Sequence, residues 1–234
     1  MISPRVRLAL LIASCALATP MVTSAQSTSY TVAEFSPPPS NQFRLFGLDA
    51  SQSRVGQTFS ASRDGRLDSI RLLLAENGPH PSAVVVEVRT VDGHGNPTPD
   101  VVTSAAAYTS NLTSIPSYFT ATFNGVAVLR AGKTYAVTLR LFEPGTGLGV
   151  YGDLAGIDPY EGGGMVRSSD DGLTWSTLGS YYDLAFRVTA SAPVITSPTN
   201  TFGAGKLSLD LITGREWLDL PLTQNRSPRV ANIL

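Results

Sequence analysis

The segment that decides the fold is YAVTLRL, which runs from Tyr135 to Leu141. Bulky apolar side chains occupy every second position, and Ala136, Thr138 and Arg140 stand between them. Successive side chains of a β-strand point to opposite faces, so this alternation predicts a strand that buries one face. An Ala-Gly-Lys sequence, typical of a tight turn, comes just before it. The segment therefore predicts one strand of an antiparallel sheet.

The same period of two recurs on both sides of this segment. The alternating apolar positions are Ile70, Leu72 and Leu74; Val84, Val86 and Val88; Phe119, Ala121 and Phe123; and Leu184, Phe186 and Val188. Turn-forming groups separate these runs, namely Arg63-Asp64-Gly65, Asp92-Gly93, Gly95-Asn96-Pro97, Ala131-Gly132-Lys133 and Asp171-Gly172. Short strands at this spacing predict an all-β fold of two packed antiparallel sheets, a β-sandwich or jelly roll.

The charge of the chain argues against nucleic acid as a partner. Charged residues make up 15% of the 234 residues, and the formal net charge is −1. Proteins that bind nucleic acid or an anionic membrane carry a basic patch. Neither ligand is expected here.

The N-terminus has the three parts of a secretory signal peptide. Arg5 and Arg7 form a positive region, an apolar run from Leu8 to Leu17 follows, and Thr23-Ser24-Ala25 offers small residues before a cut at Gln26. Residues 1–25 are therefore predicted to form a removable signal helix. The mature protein is expected to be secreted or held at the cell surface.

An alternative to ordinary cleavage is lipidation. The sequence Ile12-Ala13-Ser14-Cys15 resembles a bacterial lipobox, which would make the protein a lipoprotein attached through Cys15. Cys15 is the only cysteine, so the ordinarily cleaved product would hold no disulfide. No second apolar run is long enough to span a bilayer, so no transmembrane segment is predicted in the mature chain.

Composition divides the mature chain into four parts. Pro37-Pro38-Pro39 favours extended backbone, and Ser, Thr and Pro dominate the stretch that follows Ala192. The predicted parts are an extended lead-in (26–52), a β-sandwich domain (53–190), a Ser/Thr/Pro linker (191–200) and an incomplete C-terminal segment (201–234). In the last part, two apolar pieces flank Thr213-Gly214 and predict a hairpin.

The domain resembles the jelly-roll modules of bacterial choice-of-anchor surface proteins. The resemblance rests on Gly56-Gln57-Thr58-Phe59, on the segment from Leu129 to Tyr135, and on the closing strand from Asp183 to Val188. It implies an extracellular β-sandwich and no settled activity. The tail from Thr213 to Leu220, Thr-Gly-x-Glu-Trp-Leu-Asp-Leu, resembles a segment of surface proteins that end in a PEP-CTERM sorting signal.

A third resemblance is to the Asp-box, Ser-x-Asp-x-Gly-x-Thr-Trp, which occurs in sialidase propellers and other β folds. The matching residues are Ser168, Asp170, Gly172, Thr174 and Trp175. Asp170 is expected to accept backbone N–H bonds across a tight turn, Gly172 to supply positive φ, and Trp175 to pack beneath. The motif predicts a structural hairpin, with a sugar contact as the alternative.

No motif predicts catalysis. His80 and His94 both lie in turns, and the sequence contains no metal-binding histidine pair, phosphate-binding loop or nucleophile elbow. Glu87 stands on a strand and is expected to face solvent beside Arg89. The prediction is a protein that is not an enzyme. A secreted glycoside hydrolase is the less favoured interpretation, and it would require two carboxylates facing each other across a cleft.

Aromatic residues crowd the last third of the domain and are the candidate ligand-binding residues. They are Tyr151, Tyr160, Trp175, Tyr181 and Tyr182. Aromatic faces stack on sugar rings, so these side chains predict binding of an extracellular polysaccharide or a cell-surface component. Two alternatives stay open: the aromatics belong to the core, or the domain is purely a structural spacer.

A structural calcium ion is the one cofactor considered. Its candidate ligands are Asp153, Asp158, Glu161 and Asp183. Carboxylate and carbonyl oxygens are the ligands that Ca²⁺ takes in proteins. No other cofactor is expected.

Overall fold

The computed structural model describes residues 28–49, 53–143, 145–154, 160–179, 181–192, 207–210 and 215–218. These residues form sixteen β-strands and one short 3-10 turn at Pro39–Asn41. The strands are β1 (Ser29–Phe35), β2 (Phe43–Asp49), β3 (Arg54–Ser60), β4 (Gly65–Glu76), β5 (Ala83–Val91), β6 (Pro97–Tyr108), β7 (Ser117–Thr122), β8 (Val128–Leu129), β9 (Thr134–Leu141), β10 (Gly147–Asp153), β11 (Met165–Ser168), β12 (Ser176–Thr177), β13 (Asp183–Leu184), β14 (Phe186–Ser191), β15 (Leu207–Asp210) and β16 (Arg215–Leu218).

Two antiparallel sheets make up the domain. Sheet A has eight strands in the order β1-β14-β4-β10-β13, with β2 paired to β10 and with β7 and β8 paired to β4. Sheet B has six strands in the order β12-β11-β3-β9-β5-β6. All the pairings are antiparallel. The chain crosses between the sheets repeatedly, for example from β2 in sheet A to β3 in sheet B and back to β4 in sheet A.

The inner faces of the two sheets bury each other, which confirms the predicted antiparallel two-sheet sandwich. The alternating positions of the sequence supply the core. Side chains at most 8% exposed include Ile70, Leu72, Leu74, Val84, Val86, Val88, Phe119, Ala121, Phe123, Tyr135, Val137, Leu139, Leu141, Leu184, Phe186 and Val188. Burial of this much apolar surface is the main stabilising term of the fold.

Turn glycines hold the positions that need positive φ. Gly95, Gly132 and Gly172 have φ angles of 82°, 72° and 84°, as the turn sequences predict. Gly65 serves a different purpose inside β4. A Cβ atom placed there would lie 2.8 Å from the Cβ of Ala190 in β14, so the absence of a side chain allows β4 and β14 to approach.

Residues 26–52, predicted as an extended lead-in, supply two strands of sheet A. Strand β1 pairs with β14, from Ser29 opposite Ser191 to Phe35 opposite Phe186. Strand β2 pairs with β10, and its Leu48 is fully buried. The described sandwich therefore includes residues on both sides of the boundary drawn at 53.

The outer face of sheet B carries a buried arginine cluster centred on Glu87. The carboxylate of Glu87 lies 2.8 Å from Arg54, 2.6 Å from Arg89 and 3.3 Å from Arg140. Glu87 and Arg89 are only 6% and 7% exposed. The expectation that this pair faces solvent is therefore wrong, because the Arg54 side chain and the loop that carries Asp171 cover the sheet at this point.

Several predictions fall outside the described residues. They are the signal helix of residues 1–25, the lipidation site at Cys15, the calcium ligand Asp158 and residues 193–200 of the linker. Farther along, β15 and β16 pair as antiparallel strands on either side of Thr213-Gly214. Within the part of the chain that the structure describes, no helix could cross a membrane.

Candidate functional site

The Asp-box forms a closed hydrogen-bonded loop between β11 and β12. One Asp170 oxygen accepts bonds from Ser168 Oγ at 2.7 Å and from the Thr174 amide at 2.9 Å. The other oxygen accepts from Thr174 Oγ1 at 2.5 Å. Ser168 Oγ in turn accepts from the Gly172 amide at 2.8 Å. Positive φ angles at Asp171 and Gly172 complete the turn.

This loop lies against the arginine cluster. Asp171 accepts a hydrogen bond from Arg54 Nε at 2.9 Å, and a Cβ atom at Gly172 would lie 3.1 Å from the same arginine side chain. Trp175 is half-buried, and its buried indole nitrogen has no hydrogen-bond partner among the described residues. Through these contacts the loop covers part of the outer face of sheet B.

Substitution of Asp170 by alanine should open this loop while the sandwich stays folded. The hydrogen bonds from Thr174 and Ser168 hold the pKa of Asp170 at about 2. A lowered pKa stabilises the native loop above the unfolded pKa of about 3.9, and the benefit is lost as the pH falls through about 2. The protection of the Thr174 and Gly172 amides against hydrogen exchange should therefore persist at pH 3 in the parent and be lost in Asp170→Ala.

Ser169→Ala is the matched control, because Ser169 is an exposed residue of the same loop. It should leave the exchange of both amides unchanged. Equal exchange in Asp170→Ala and Ser169→Ala would show that the carboxylate does not hold the loop.

The five candidate aromatics do not form one surface. Tyr160 packs against the core, with its ring 5.1 Å from Phe186 and 6.5 Å from Phe35. Burial raises the pKa of the Tyr160 hydroxyl above its ordinary value. Tyr182 is also partly buried against the core. Tyr160 and Tyr182 therefore agree with the alternative that the aromatic residues belong to the core.

The other three aromatics are separate from one another. Tyr181 is 53% exposed. Tyr151 is half-buried in β10 opposite Arg44 of β2, and Trp175 belongs to the Asp-box loop. No ring contact among the described residues joins any two of the five candidates. An aromatic platform built from all five is therefore absent from the described surface.

The candidate metal ligands also differ in their exposure to solvent. Glu161 is exposed, whereas Asp153 and Asp183 are 4% and 0% exposed. Asp153 and Asp183 lie directly opposite each other at the end of the β10–β13 pairing. No group of three or more metal-binding side chains occurs among the described residues.

A shallow depression on the outer face of sheet A is lined by polar side chains that no sequence motif indicated. Its volume is about 90 Å³, and its lining residues are Glu34, Ser36, Arg71, Tyr118, Phe186 and Arg187. The strand registers place Glu34 opposite Arg187 and Arg187 opposite Arg71. Three charged residues thus stand side by side on β1, β14 and β4.

Contacts within the depression fix these side chains. Arg187 donates to the Glu34 carboxylate, and this hydrogen bond raises the pKa of Arg187. The Arg71 guanidinium lies 4.6 Å from the centre of the Tyr118 ring, and Tyr118 shares a hydrogen bond of 2.8 Å with Ser36. Arg187 Nε is buried, and no described residue accepts a hydrogen bond from it.

The only sequence signal for this depression is the position of its charges. Arg71 lies between the inward-facing Ile70 and Leu72, and Arg187 lies between Phe186 and Val188. Both arginines must therefore point outward. Their proximity depends on the pairing of β14 with β4, which sequence alternation alone does not define.

Comparison with known proteins gives no family. No family model matches the chain, and no curated protein matches it significantly. Among solved structures, a clostridial cysteine protease, Cwp84, after propeptide cleavage, is similar at a TM-score of 0.42 and 16% identity. The alignment covers 67% of this chain and 42% of that chain, so this chain spans less than half of that protein. A likeness at this level gives no information on activity.

Proposed function

We propose that the protein is an exported, non-catalytic β-sandwich module that binds an acidic extracellular polysaccharide. The observation that carries the proposal is the depression on sheet A, where Arg71 and Arg187 stand beside Tyr118 on an open sheet face. Guanidinium groups bind carboxylates through paired N–H donors.

The size of the depression favours a polymer lying on the surface over an enclosed small molecule. Small-molecule pockets span roughly 300–1,000 Å³, whereas this depression has about 90 Å³. A space of this size accepts one substituent of a sugar, such as a carboxylate. The rest of the polymer would lie across the sheet, and neighbouring hydroxyls would contact Glu34 and Ser36.

Burial argues against the hydrolase alternative. Asp153 and Asp183 are facing carboxylates, but both are buried, so a glycosidic bond could not reach them. A purely structural spacer is the competing proposal, and binding measurements separate the two.

Arg71→Gln should weaken binding of polygalacturonate by about tenfold or more, because a hydrogen bond to a charged group is worth roughly 1.5–3 kcal/mol. The matched control is Arg63→Gln. Arg63 also stacks on a tyrosine, 4.7 Å from the Tyr30 ring, but it lies outside the depression. The protein would be titrated against polygalacturonate and, in parallel, against its methyl-esterified form.

The expected result is binding of the acid form alone, weakened in Arg71→Gln and kept in Arg63→Gln. If both variants lost the same affinity for polygalacturonate, the interaction would be general charge attraction and not binding at the depression. If the unsubstituted chain bound neither acidic nor neutral glycans, the result would favour a purely structural spacer. Release of reducing ends on incubation would contradict the non-catalytic part of the proposal.

A further inference from the structure

Two buried aspartates lie opposite each other where β10 ends. Asp153 and Asp183 are directly opposite residues of the antiparallel β10–β13 pair. Opposite residues of such a pair point to the same side of the sheet, with Cβ atoms about 4.5–5.5 Å apart. Only 4% of Asp153 and none of Asp183 is exposed. The two acids thus share one water-poor space.

Close backbone packing fixes this register. A Cβ atom at Gly152 would lie 1.9 Å from the carbonyl oxygen of Asp183. No side chain fits there, so β10 approaches β13 only because residue 152 is glycine. The position of Asp153 beside Asp183 is therefore held by the backbone.

Neutral donors orient Asp183. Gln57 Nε2 donates to one carboxylate oxygen at 2.7 Å, and the Tyr160 amide donates to the other at 3.2 Å. The Gln57 side chain is locked in turn, because its Oε1 accepts from the Leu184 amide at 2.9 Å. Gln57 is fully buried.

Asp153 gives the independent indication of a ligand. Its Oδ1 atom is buried and has no hydrogen-bond partner among the described residues. A buried carboxylate oxygen without a partner is costly, and a second carboxylate alongside adds like-charge repulsion. A cation between the two acids removes both costs.

We propose that Asp153 and Asp183 bind one calcium ion. The donors are hard carboxylate oxygens, which suit Ca²⁺, whereas zinc prefers nitrogen and sulfur ligands. Ca²⁺ takes 6–8 oxygen ligands, including backbone carbonyls and waters, so Asp153 and Asp183 would supply only part of its coordination shell. The ion ties the end of β10 to β13 and holds the Tyr160 backbone beside them. This inference is independent of polysaccharide binding at sheet A.

The test is thermal unfolding of the protein with EDTA, with CaCl₂ and with MgCl₂. Calcium at about 100 times its Kd should raise Tm by roughly 5–10 °C. Asp153→Asn should abolish the rise, and Asp100→Asn should keep it, because Asp100 is an exposed residue of β6. No calcium response in the parent, or an equal response in Asp153→Asn, would overturn the site.

A second measurement on the unsubstituted chain covers the case in which Asp153→Asn fails to fold. Tb³⁺ replaces Ca²⁺ and luminesces when a nearby tyrosine is excited, and Tyr160 donates its amide to Asp183. Tyrosine-sensitised Tb³⁺ emission that calcium displaces supports the site. Absence of that emission, or emission that calcium does not displace, contradicts it.

Discussion

Glu87→Gln is expected to destabilise the protein by about 3–5 kcal/mol, the usual cost of removing one partner from a buried ion pair. The parent carboxylate forms ion pairs with Arg54 and Arg89, which are 8% and 7% exposed. Glutamine keeps the shape and the acceptor oxygen but leaves two buried guanidinium groups without that charge. Urea unfolding at pH 7 should show the loss, and Tm should fall by about 10 °C.

The pH dependence gives a second readout of the same residue. Burial by itself raises the pKa of Glu87, but the hydrogen bond and charge of Arg89, with those of Arg54 and Arg140, outweigh it and lower the pKa overall. The native state then releases its proton more readily than the unfolded chain. The stabilisation is complete above the unfolded pKa of about 4.3 and is lost as the pH falls through the native value.

Stability of the parent should therefore drop more steeply below pH 4 than that of Glu87→Gln. Glu76→Gln is the control, because Glu76 pairs with His80 at 3.3 Å while both side chains are about one-third exposed, and such pairs are worth roughly 0–1 kcal/mol. An acid dependence that is identical in the parent and in Glu87→Gln would show that the arginine cluster does not stabilise the fold.

The second large effect is expected at Phe59, where replacement by alanine should cost about 3–5 kcal/mol. Phe59 is fully buried, and its ring centre lies 5.9 Å from Tyr135 of β9 and 6.2 Å from Phe186 of β14. It therefore joins sheet B to sheet A. The cavity left by alanine would loosen the interface between the two sheets.

Tyr108→Ala provides the comparison, since Tyr108 is an aromatic strand residue that is 83% exposed. Exposed substitutions usually change stability by less than about 0.5 kcal/mol. Chemical denaturation of both variants should separate them clearly. Similar losses in the two would mean that Phe59 does not lie between the packed sheets.

The sandwich could be predicted because its core strands carry apolar residues at successive second positions. Val84, Val86 and Val88 share one face by local geometry alone, and any antiparallel sheet that packs on one side buries them. The Asp-box could also be predicted, since its hydrogen bonds join residues at most four positions apart.

Strand β1 is harder to recognise because its alternation breaks. A β-bulge between Thr31 and Ala33 shifts its register against β14, so two neighbouring residues, Val32 and Ala33, are both buried. A bulge inserts one residue into a strand and interrupts the period of two. The alternation of apolar residues therefore does not predict β1, although its pairing with β14 stabilises it as a strand.

Long-range contacts account for the remaining differences. Glu87 is buried because Arg54, which is distant in sequence, pairs with it and in turn pairs with Asp171. Tyr160 packs against the core because its ring contacts Phe35 and Phe186. The depression on sheet A likewise depends on which strands are neighbours. Strand order is a property of the whole chain, so no local window contains it.

The pairing of β1 with β14 has a consequence for how the chain acquires its structure. These two strands stand near opposite ends of the described domain, yet they are neighbours in sheet A. Contacts between residues so far apart in sequence carry a large loop-closure cost and slow folding. Strand β1 therefore has no partner to pair with until β14 has been synthesised. The edge of sheet A that β1 forms is completed only after nearly all of the described domain has been made.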